Sequence, residues 1–360
     1  MHVGIDGREL SGHVTGVGRF LQRLLREWSL SPSGRSHRYS VYSHDGRTAL
    51  PPHFPGEVVL VPGAGGTRWE QQSLAAAARR DRPDVFFAPG YSAPLLGGVP
   101  FVVVIHDVSF IAHPEWFGWR EGTRRRVLAR WSATRAARVV TVSQFSRDEI
   151  VRHLDLPAAQ IRVVHHGIDV PRARPTEPRD QLVLFVGSIF NRRHVPILVE
   201  AFASVAAARP HARLEIVGND RTYPPEQIAQ IIEASRAGDR IRLRPWVTDD
   251  ELDSLYGRAS VFAFLSEYEG FGLTPLEALA AGVPSVVLAT PVAREVLGDA
   301  AVFIGRPEAH AVADAISALL NASGEVRRRV LSAAPEVLAR YRWSDAAAAV
   351  LATLDEAARS

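Results

Sequence analysis

Short apolar, β-branched runs alternate with helical periodicity along almost the whole chain. In the first half the runs are HVGIDG (2–7), RYSVYSHD (38–45), EVVLVP (57–62), VFFAPG (85–90), FVVVIHD (101–107), RVVTVS (138–143) and IRVVHHG (161–167), with helical stretches at 17–30, 70–81, 119–137 and 144–153. Continuous apolar runs separated by helices predict a parallel sheet buried on both faces. Residues 170–180, VPRARPTEPRD, lack apolar periodicity and read as a linker. A second series follows: LVLFVGS (182–188), RLEIVGN (213–219), RIRLRPWV (240–247), SVFAFLS (260–266), SVVLA (285–289) and AVFIG (301–305). The expectation is an α/β chain of two doubly wound parallel-sheet domains, 1–172 and 173–360, with the last helix free to pack back on the first domain. Parallel sheets bind ligands at the carboxyl ends of their strands. Two such domains facing one another would enclose a central cleft, and the strand ends are where chemistry is expected.

One strand end carries an unusual constellation. SEYEGFGLTPLEALAAGVP (266–284) sets Glu269 and Glu277 on either side of Gly270, Phe271, Gly272 and Leu273. Thr274, Pro275 and Glu277 have the spacing of a capping box with proline at the first helical position, and Gly282 reads as the C-terminal cap. Capping would account for Glu277 alone. It leaves Glu269 and the glycines unexplained. Glycines let backbone amides approach a ligand, and amides at a helix N-terminus favour phosphate. Carboxylates beside phosphate would repel it, so they make more sense as acceptors for sugar hydroxyls flanking the phosphates.

E-G-F-G-L-x-P-L-E-A-x-A-x-G-x-P, with glutamates eight positions apart, resembles the E-x7-E signature of the family 4 retaining glycosyltransferases. The resemblance runs nearly end to end, through GIDGRELSGHVTGVGRFLQRLL, VVVIHDVSFIAHPEWF, VSQFSRDEIVRHLDLPAAQIRVVHHGID and LFVGSIFNRRHVPILVEAF. It implies the GT-B fold, two Rossmann-like domains with the first on the acceptor side and the second on the nucleotide-sugar side. It also implies roles. Glu269 would contact the transferred sugar, and His106, at the end of FVVVIHD, would hydrogen-bond that sugar near its reactive carbon. Glu277 would bind the ribose hydroxyls, and the amides of Gly270, Phe271, Gly272 and Leu273 would face sugar and phosphate. Gly16 and Gly18, in G-V-G-R-F-L, form an incomplete dinucleotide fingerprint lying ten residues beyond its strand. They read better as a close backbone approach to donor phosphate or acceptor.

The second half departs from the family pattern. The usual arginine after V-G is Ser188, and the usual lysine that grips the diphosphate is Arg193. Arginine clamps phosphate well, often in bidentate fashion, but its rigid fork is no silent replacement for lysine. Arg192, its neighbour, is a second candidate for the clamp. No metal and no cofactor are expected beyond the nucleotide-sugar co-substrate. No two aspartates are separated by a single residue, H-E-x-x-H is absent, and the adjacent His165 and His166 would point to opposite faces of a strand.

Composition adds limits. The chain has 360 residues, 46% hydrophobic and 22% charged, with no cysteine, so disulfide and zinc–thiolate frameworks are excluded. The net charge of +3 is mild, all 42 basic residues are arginine, and no nucleic-acid partner is expected. The opening MHVGIDGREL lacks the regions of a signal peptide, and the expectation is a cytoplasmic protein. The stretch 119–138 carries seven arginines against one glutamate, with Trp119 and Trp131 among them. It is either an ordinary solvated helix or a peripheral contact with the inner membrane face.

The reading favoured is retaining, metal-independent transfer of a sugar from a nucleotide donor to a hydroxyl of a glycan, a lipid-linked glycan or a small molecule, as in polysaccharide biosynthesis. The alternatives are another GT-B chemistry, such as nucleotide-sugar epimerisation or phosphorolysis, and a two-domain protein that binds sugar nucleotides without chemistry. A glycosidase needs its carboxylates on opposite sides of the scissile bond, whereas both glutamates here lie in one turn.

Overall fold

The computed structural model describes residues 1–12, 16–169, 179–321 and 323–359. The chain divides into two units, Met1–Gly167 with Arg342–Ser360, and Ile168–Tyr341. The expected boundary at 172/173 and most of the linker lie outside the described residues.

Every apolar run named above forms a strand. In the first unit these are β1 (His2–Asp6), β2 (Arg38–Ser43), β3 (Gly56–Leu60), β4 (Val85–Ala88), β5 (Phe101–Val104), β6 (Arg138–Thr141) and β7 (Ile161–Val163). They pair in parallel in the order β3-β2-β1-β4-β5-β6-β7. Alternate residues feed separate cores on the two faces. Val3, Ile5, Val85 and Phe87 pack with Phe20, Leu24 and Trp28 of helix Gly16–Leu30, and with Val350 and Leu354 of helix Trp343–Ala358. Phe86, Ala88 and Val103 pack with Leu74, Ala133 and Ile150 on the other face. The Trp28 indole N–H donates to the Ala347 carbonyl at 3.0 Å, tying the last helix to helix Gly16–Leu30. The helix expected over 70–81 opens as a π-helical stretch, Trp69–Leu74, before Ala75–Asp81 continues as α-helix.

The second unit contains β8 (Leu182–Val186), β9 (Arg213–Val217), β10 (Ile241–Arg244), β11 (Val261–Phe264), β12 (Ser285–Leu288) and β13 (Ala301–Ile304). Their order is β10-β9-β8-β11-β12-β13, again all parallel. Each sheet reverses its winding once, between β1 and β4 in the first unit and between β8 and β11 in the second. Crossovers on the two sides of such a reversal lead to opposite faces, which opens a crevice at the carboxyl ends of those two strands.

The helix after β11 corrects one expectation. It spans Leu273–Ala280, its N-cap is Gly272 with φ +93°, and no side chain caps it. Thr274 is therefore inside the first turn, and the T-x-x-E spacing makes no capping box. Glu277 instead accepts a hydrogen bond from the Tyr256 hydroxyl at 3.2 Å. At the other end Gly282 N–H bonds the Leu279 carbonyl and Val283 N–H bonds the Ala278 carbonyl, a Schellman stop.

Arg179 closes two helix ends together. Its guanidinium donates to the carbonyls of Tyr256, in the last turn of helix Asp249–Arg258, and Ala259, its C-cap, and to the Ala281 carbonyl at the end of helix Leu273–Ala280. A cation at helix C-termini satisfies orphan carbonyls and complements the dipole. Arg179→Ala is expected to lower the unfolding free energy by about 1.5–3 kcal/mol, the range for hydrogen bonds from a charged donor. Chemical denaturation with unchanged stability would contradict this role.

Candidate active site

The crevice of the second unit collects the residues singled out after β8 and β11. Arg193 lies in the short helical turn Asn191–Arg193 that follows β8, and Glu269 lies in the turn that follows β11. Arg193 Nε and Nη2 both reach Glu269 Oε1, at 2.8 and 2.7 Å, and Nη1 donates to the Ser188 carbonyl at 2.7 Å. The guanidinium stands over the Phe264 ring, 4.8 Å from its centroid. Gly187 makes this approach possible: its φ is +144°, and a Cβ there would come within 2.6 Å of Arg193 Nη1. Ser266 completes the fixation by donating to Glu269 Oε1 at 2.8 Å. Arg193 and Glu269 are 12% and 17% exposed, so the pair is partly desolvated while still reachable.

Arg192 is placed differently. It is buried, its Nε donates to the Tyr268 carbonyl at 3.1 Å, and it stacks on Phe190. It braces the loop that carries Glu269. Phe271 is also buried, edge-on to Tyr341 at 5.3 Å. Gly272 holds the left-handed conformation from which the helix starts, so the amides of Leu273 and Thr274 begin a helix with no side-chain cap. Beneath the turn lies an apolar cavity of about 20 Å³, edged by Glu269 and Ser266. It is far smaller than a sugar requires.

His106 belongs to the first unit. It follows β5, packs against Phe20, Tyr91 and His166, and its Nε2 lies 2.9 Å from the Pro89 carbonyl. A carbonyl can only accept, so Nε2 carries the proton and Nδ1 keeps its lone pair. Gly16 is the exposed first residue of its helix, and Gly18 is buried in the same helix. His165 is exposed and His166 buried, in the irregular segment that follows β7 rather than on the strand itself. Among the described residues no group of three or more histidine, aspartate or glutamate side chains is placed to hold a metal ion.

Two supports escaped the sequence reading, Ser266 and Gly187. Ser266 is the first residue of the quoted motif and Gly187 the glycine of the V-G pair. What was missing was the knowledge that β8 and β11 are neighbours, which only the sheet order supplies.

Comparisons with known proteins show the family and the fold. The family model described as "Glycosyl transferases group 1" matches residues 169–337, and "Glycosyltransferase Family 4" matches residues 14–172. The chain belongs to the family 4, group 1 glycosyltransferases. It is 29% identical over 211 residues to the O-antigen chain mannosyltransferase B of Escherichia coli, covering 55% of each chain. It is 31% identical over 249 residues to a D-inositol 3-phosphate glycosyltransferase of Streptomyces bingchenggensis, covering 62% of this chain and 54% of that one. The aligned stretch thus spans little more than half of these relatives. Among solved structures, WaaG, a glycosyltransferase involved in lipopolysaccharide biosynthesis, superposes with a TM-score of 0.75 at 18% identity, covering 98% of this chain and 99% of that one. Anabaena HepE in complex with UDP and glucose gives a TM-score of 0.73 at 18% identity with the same coverage. The fold is that of the GT-B glycosyltransferases.

The histidine cluster sets a pH dependence. Burial holds His106 below its ordinary pKa, and burial followed by the charges of His106 and His165 holds His166 well below it. The unfolded chain therefore takes up protons below about pH 6.5 that the folded chain refuses. Stability from this source is complete above that pH and is lost as pH falls. Each histidine is expected to contribute a slope of up to about 1.4 kcal/mol per pH unit below pH 6.5. His166→Gln should flatten the profile, and denaturation curves with the wild-type slope would contradict the assignment.

Proposed function

We propose that the chain transfers a sugar from a nucleotide sugar to an acceptor hydroxyl with retention of anomeric configuration and without a metal ion. The observation that carries the reading is the meeting of Glu269 and Arg193 in the crevice between β8 and β11, beside an uncapped helix N-terminus. Arg193 offers the diphosphate a guanidinium, and the amides of Leu273 and Thr274 add N–H donors aimed at anions. Glu269 faces the sugar, and Glu277 accepts ribose hydroxyls. His106 Nδ1, held as an acceptor by the Pro89 bond, takes a hydrogen bond from a sugar hydroxyl. HepE, whose structures carry UDP, glucose and UDP-glucose, and relatives that are mannosyltransferases support a nucleotide-sugar donor and a glycan acceptor.

Retention follows from the charges proposed. In the transfer the bond from the anomeric carbon to the diphosphate oxygen breaks and the bond to the acceptor oxygen forms. The acceptor proton passes to the departing diphosphate, which Arg193 stabilises as its charge grows. Acceptor and leaving group then share one face of the sugar. Counter-charge from Arg193 makes a divalent cation unnecessary. Trp119 and Trp131 are exposed on helix Trp119–Arg135 together with Arg120 and Arg130. No helix of the described residues is long and apolar enough to cross a membrane. We place a peripheral contact with an anionic bilayer on this helix.

A thermal-shift panel of UDP-glucose, UDP-N-acetylglucosamine and GDP-mannose identifies the donor. A ligand at one hundred times its dissociation constant should add about 2.7 kcal/mol to stability. With that donor, Glu269→Gln is expected to abolish turnover in a folded protein, since an amide cannot supply the carboxylate charge. Near-normal kcat would remove Glu269 from the mechanism. NMR of the first product should show the donor's anomeric coupling, and inversion would overturn the retaining mechanism. Activity should persist in excess EDTA; loss restored by manganese would overturn the metal-free reading.

A further inference from the structure

The second unit carries a further cavity at the edge of its sheet opposite the candidate active site. Helix Pro291–Leu297 leaves the carboxyl end of β12 and runs back to the amino end of β13, and helix Glu325–Leu338 packs beside β13. Between the two helices lies a cavity of about 670 Å³, within the range of small-ligand pockets. It shares no lining residue with the small cavity beneath the Glu269 turn. Arg294 and Gly298, four apart, share one face of the first helix and its cap, and Arg329, Ser332 and Ala333 share one face of the second. Gly298 and Ala333 are small, which keeps the space between the arginines open.

The protein does not neutralise the charge around this cavity. Helix Glu325–Leu338 carries three successive arginines. Arg327 donates to the Ser260 carbonyl at 2.7 Å, and Arg328 donates to the Ser323 carbonyl. Arg340, just beyond the helix, is held by Glu336 at 2.6 Å. Arg329 is the exception: its guanidinium meets no carboxylate and no carbonyl among the described residues, and it lines the cavity. Arg294 likewise makes no ion pair among the described residues, and its guanidinium stands over the Phe303 ring, 4.9 Å from the centroid. A guanidinium stacked on a ring keeps its N–H edges for another partner. Asp299 supplies the carboxylate of the lining, exposed and also unpaired among the described residues. The Ser332 hydroxyl donates to the Arg329 carbonyl at 2.8 Å and keeps its lone pairs. β13 itself is an edge strand, and its Ile304 carbonyl accepts from Ala289 N–H at 2.9 Å on the β12 side. Alternation therefore turns the backbone groups of Ala301 and Phe303, both in the lining, to the open edge, where no described strand pairs with them. Sheet edges of this kind add N–H donors to anion sites.

We propose that this cavity is a second, non-catalytic ligand site and that it takes a phosphate monoester of a polyhydroxylated molecule, such as a sugar phosphate. Arg294 and Arg329 bind the phosphate, each with a planar fork that matches two of its oxygens. Two guanidiniums against one carboxylate suit a dianion. Asp299 repels a bare phosphate but accepts hydrogen bonds from the hydroxyls of an ester, so it separates the ester from the free ion. The proposal does not depend on the transferase reading, because every residue in it lies within the second unit and outside the crevice between β8 and β11.

Calorimetric titration of the full chain compares glucose 6-phosphate, inorganic phosphate and glucose, at a pH where both phosphates are dianions. Glucose 6-phosphate is expected to bind, inorganic phosphate to bind more weakly by about tenfold or more, and glucose not to bind. The double variant Arg294→Ala/Arg329→Ala removes two exposed, unpaired side chains and should keep its fold. It should weaken glucose 6-phosphate by about tenfold or more. Arg193→Ala should leave that affinity unchanged, since it alters only the crevice between β8 and β11. Absence of glucose 6-phosphate binding, or equal binding by the double variant, overturns the proposal. A loss confined to Arg193→Ala overturns it too, because it would put the phosphate in that crevice. Equal affinity for inorganic phosphate would mean an adventitious ion only, and equal affinity for glucose would remove the phosphate from recognition.

Discussion

A parallel sheet sends every strand's carboxyl end to one edge, and a single reversal of winding opens a gap at that edge between two neighbouring strands. This chain builds the arrangement twice, between β1 and β4 and between β8 and β11. Both gaps hold an arginine that follows the first strand of its unit and carboxylates that come from far along the chain. Arg8 meets Glu70, and Arg193 meets Glu269. The buried strands that form the sheets leave no freedom at these positions, because a one-residue shift would send every side chain into the core on the opposite face.

In the second unit the decisive feature is that the cation and the carboxylate occupy each other. Glu269 occupies the Arg193 fork, so in the transfer proposed above the diphosphate exchanges one partner of Arg193 for another. A partly buried ion pair gains little net stability over its separated, solvated ions. That makes the exchange cheap when phosphate oxygens replace the carboxylate. In that proposal Glu269 is released beside the sugar as the diphosphate takes its place. The substitution of arginine for the family's usual lysine fits this geometry. Its fork reaches Glu269 and the Ser188 carbonyl together, covering ground that Ser188 itself, in place of an arginine, does not.

Much of the fold was legible in the sequence, because strands covered on both faces write themselves as uninterrupted apolar runs. The position of Glu269 was legible for a related reason: its turn directly follows such a run. The N-terminal cap was not, although the C-terminal stop at Gly282 was. T-x-x-E at 274–277 has the right spacing, but Gly272 takes a positive φ and starts the helix earlier, so Thr274 falls inside the first turn. The motif singles out Arg193 with Arg192 second, but what Arg192 does instead is not written in the sequence, since adjacent residues in a short turn point different ways. Packing decides that one braces Tyr268 and the other meets Glu269. The cluster of Asp6, Arg8 and Glu70 was invisible because 62 residues separate Arg8 from Glu70.

The central claim is that Glu269 and the donor diphosphate compete for Arg193. The most direct test is the affinity of nucleoside diphosphate, measured by calorimetry, for the wild type, Glu269→Gln, Arg193→Ala and the double variant. Removing the competing negative charge should tighten binding in Glu269→Gln, and that gain should vanish once Arg193 is absent. Weaker binding in Glu269→Gln, or the same gain without Arg193, would contradict the account.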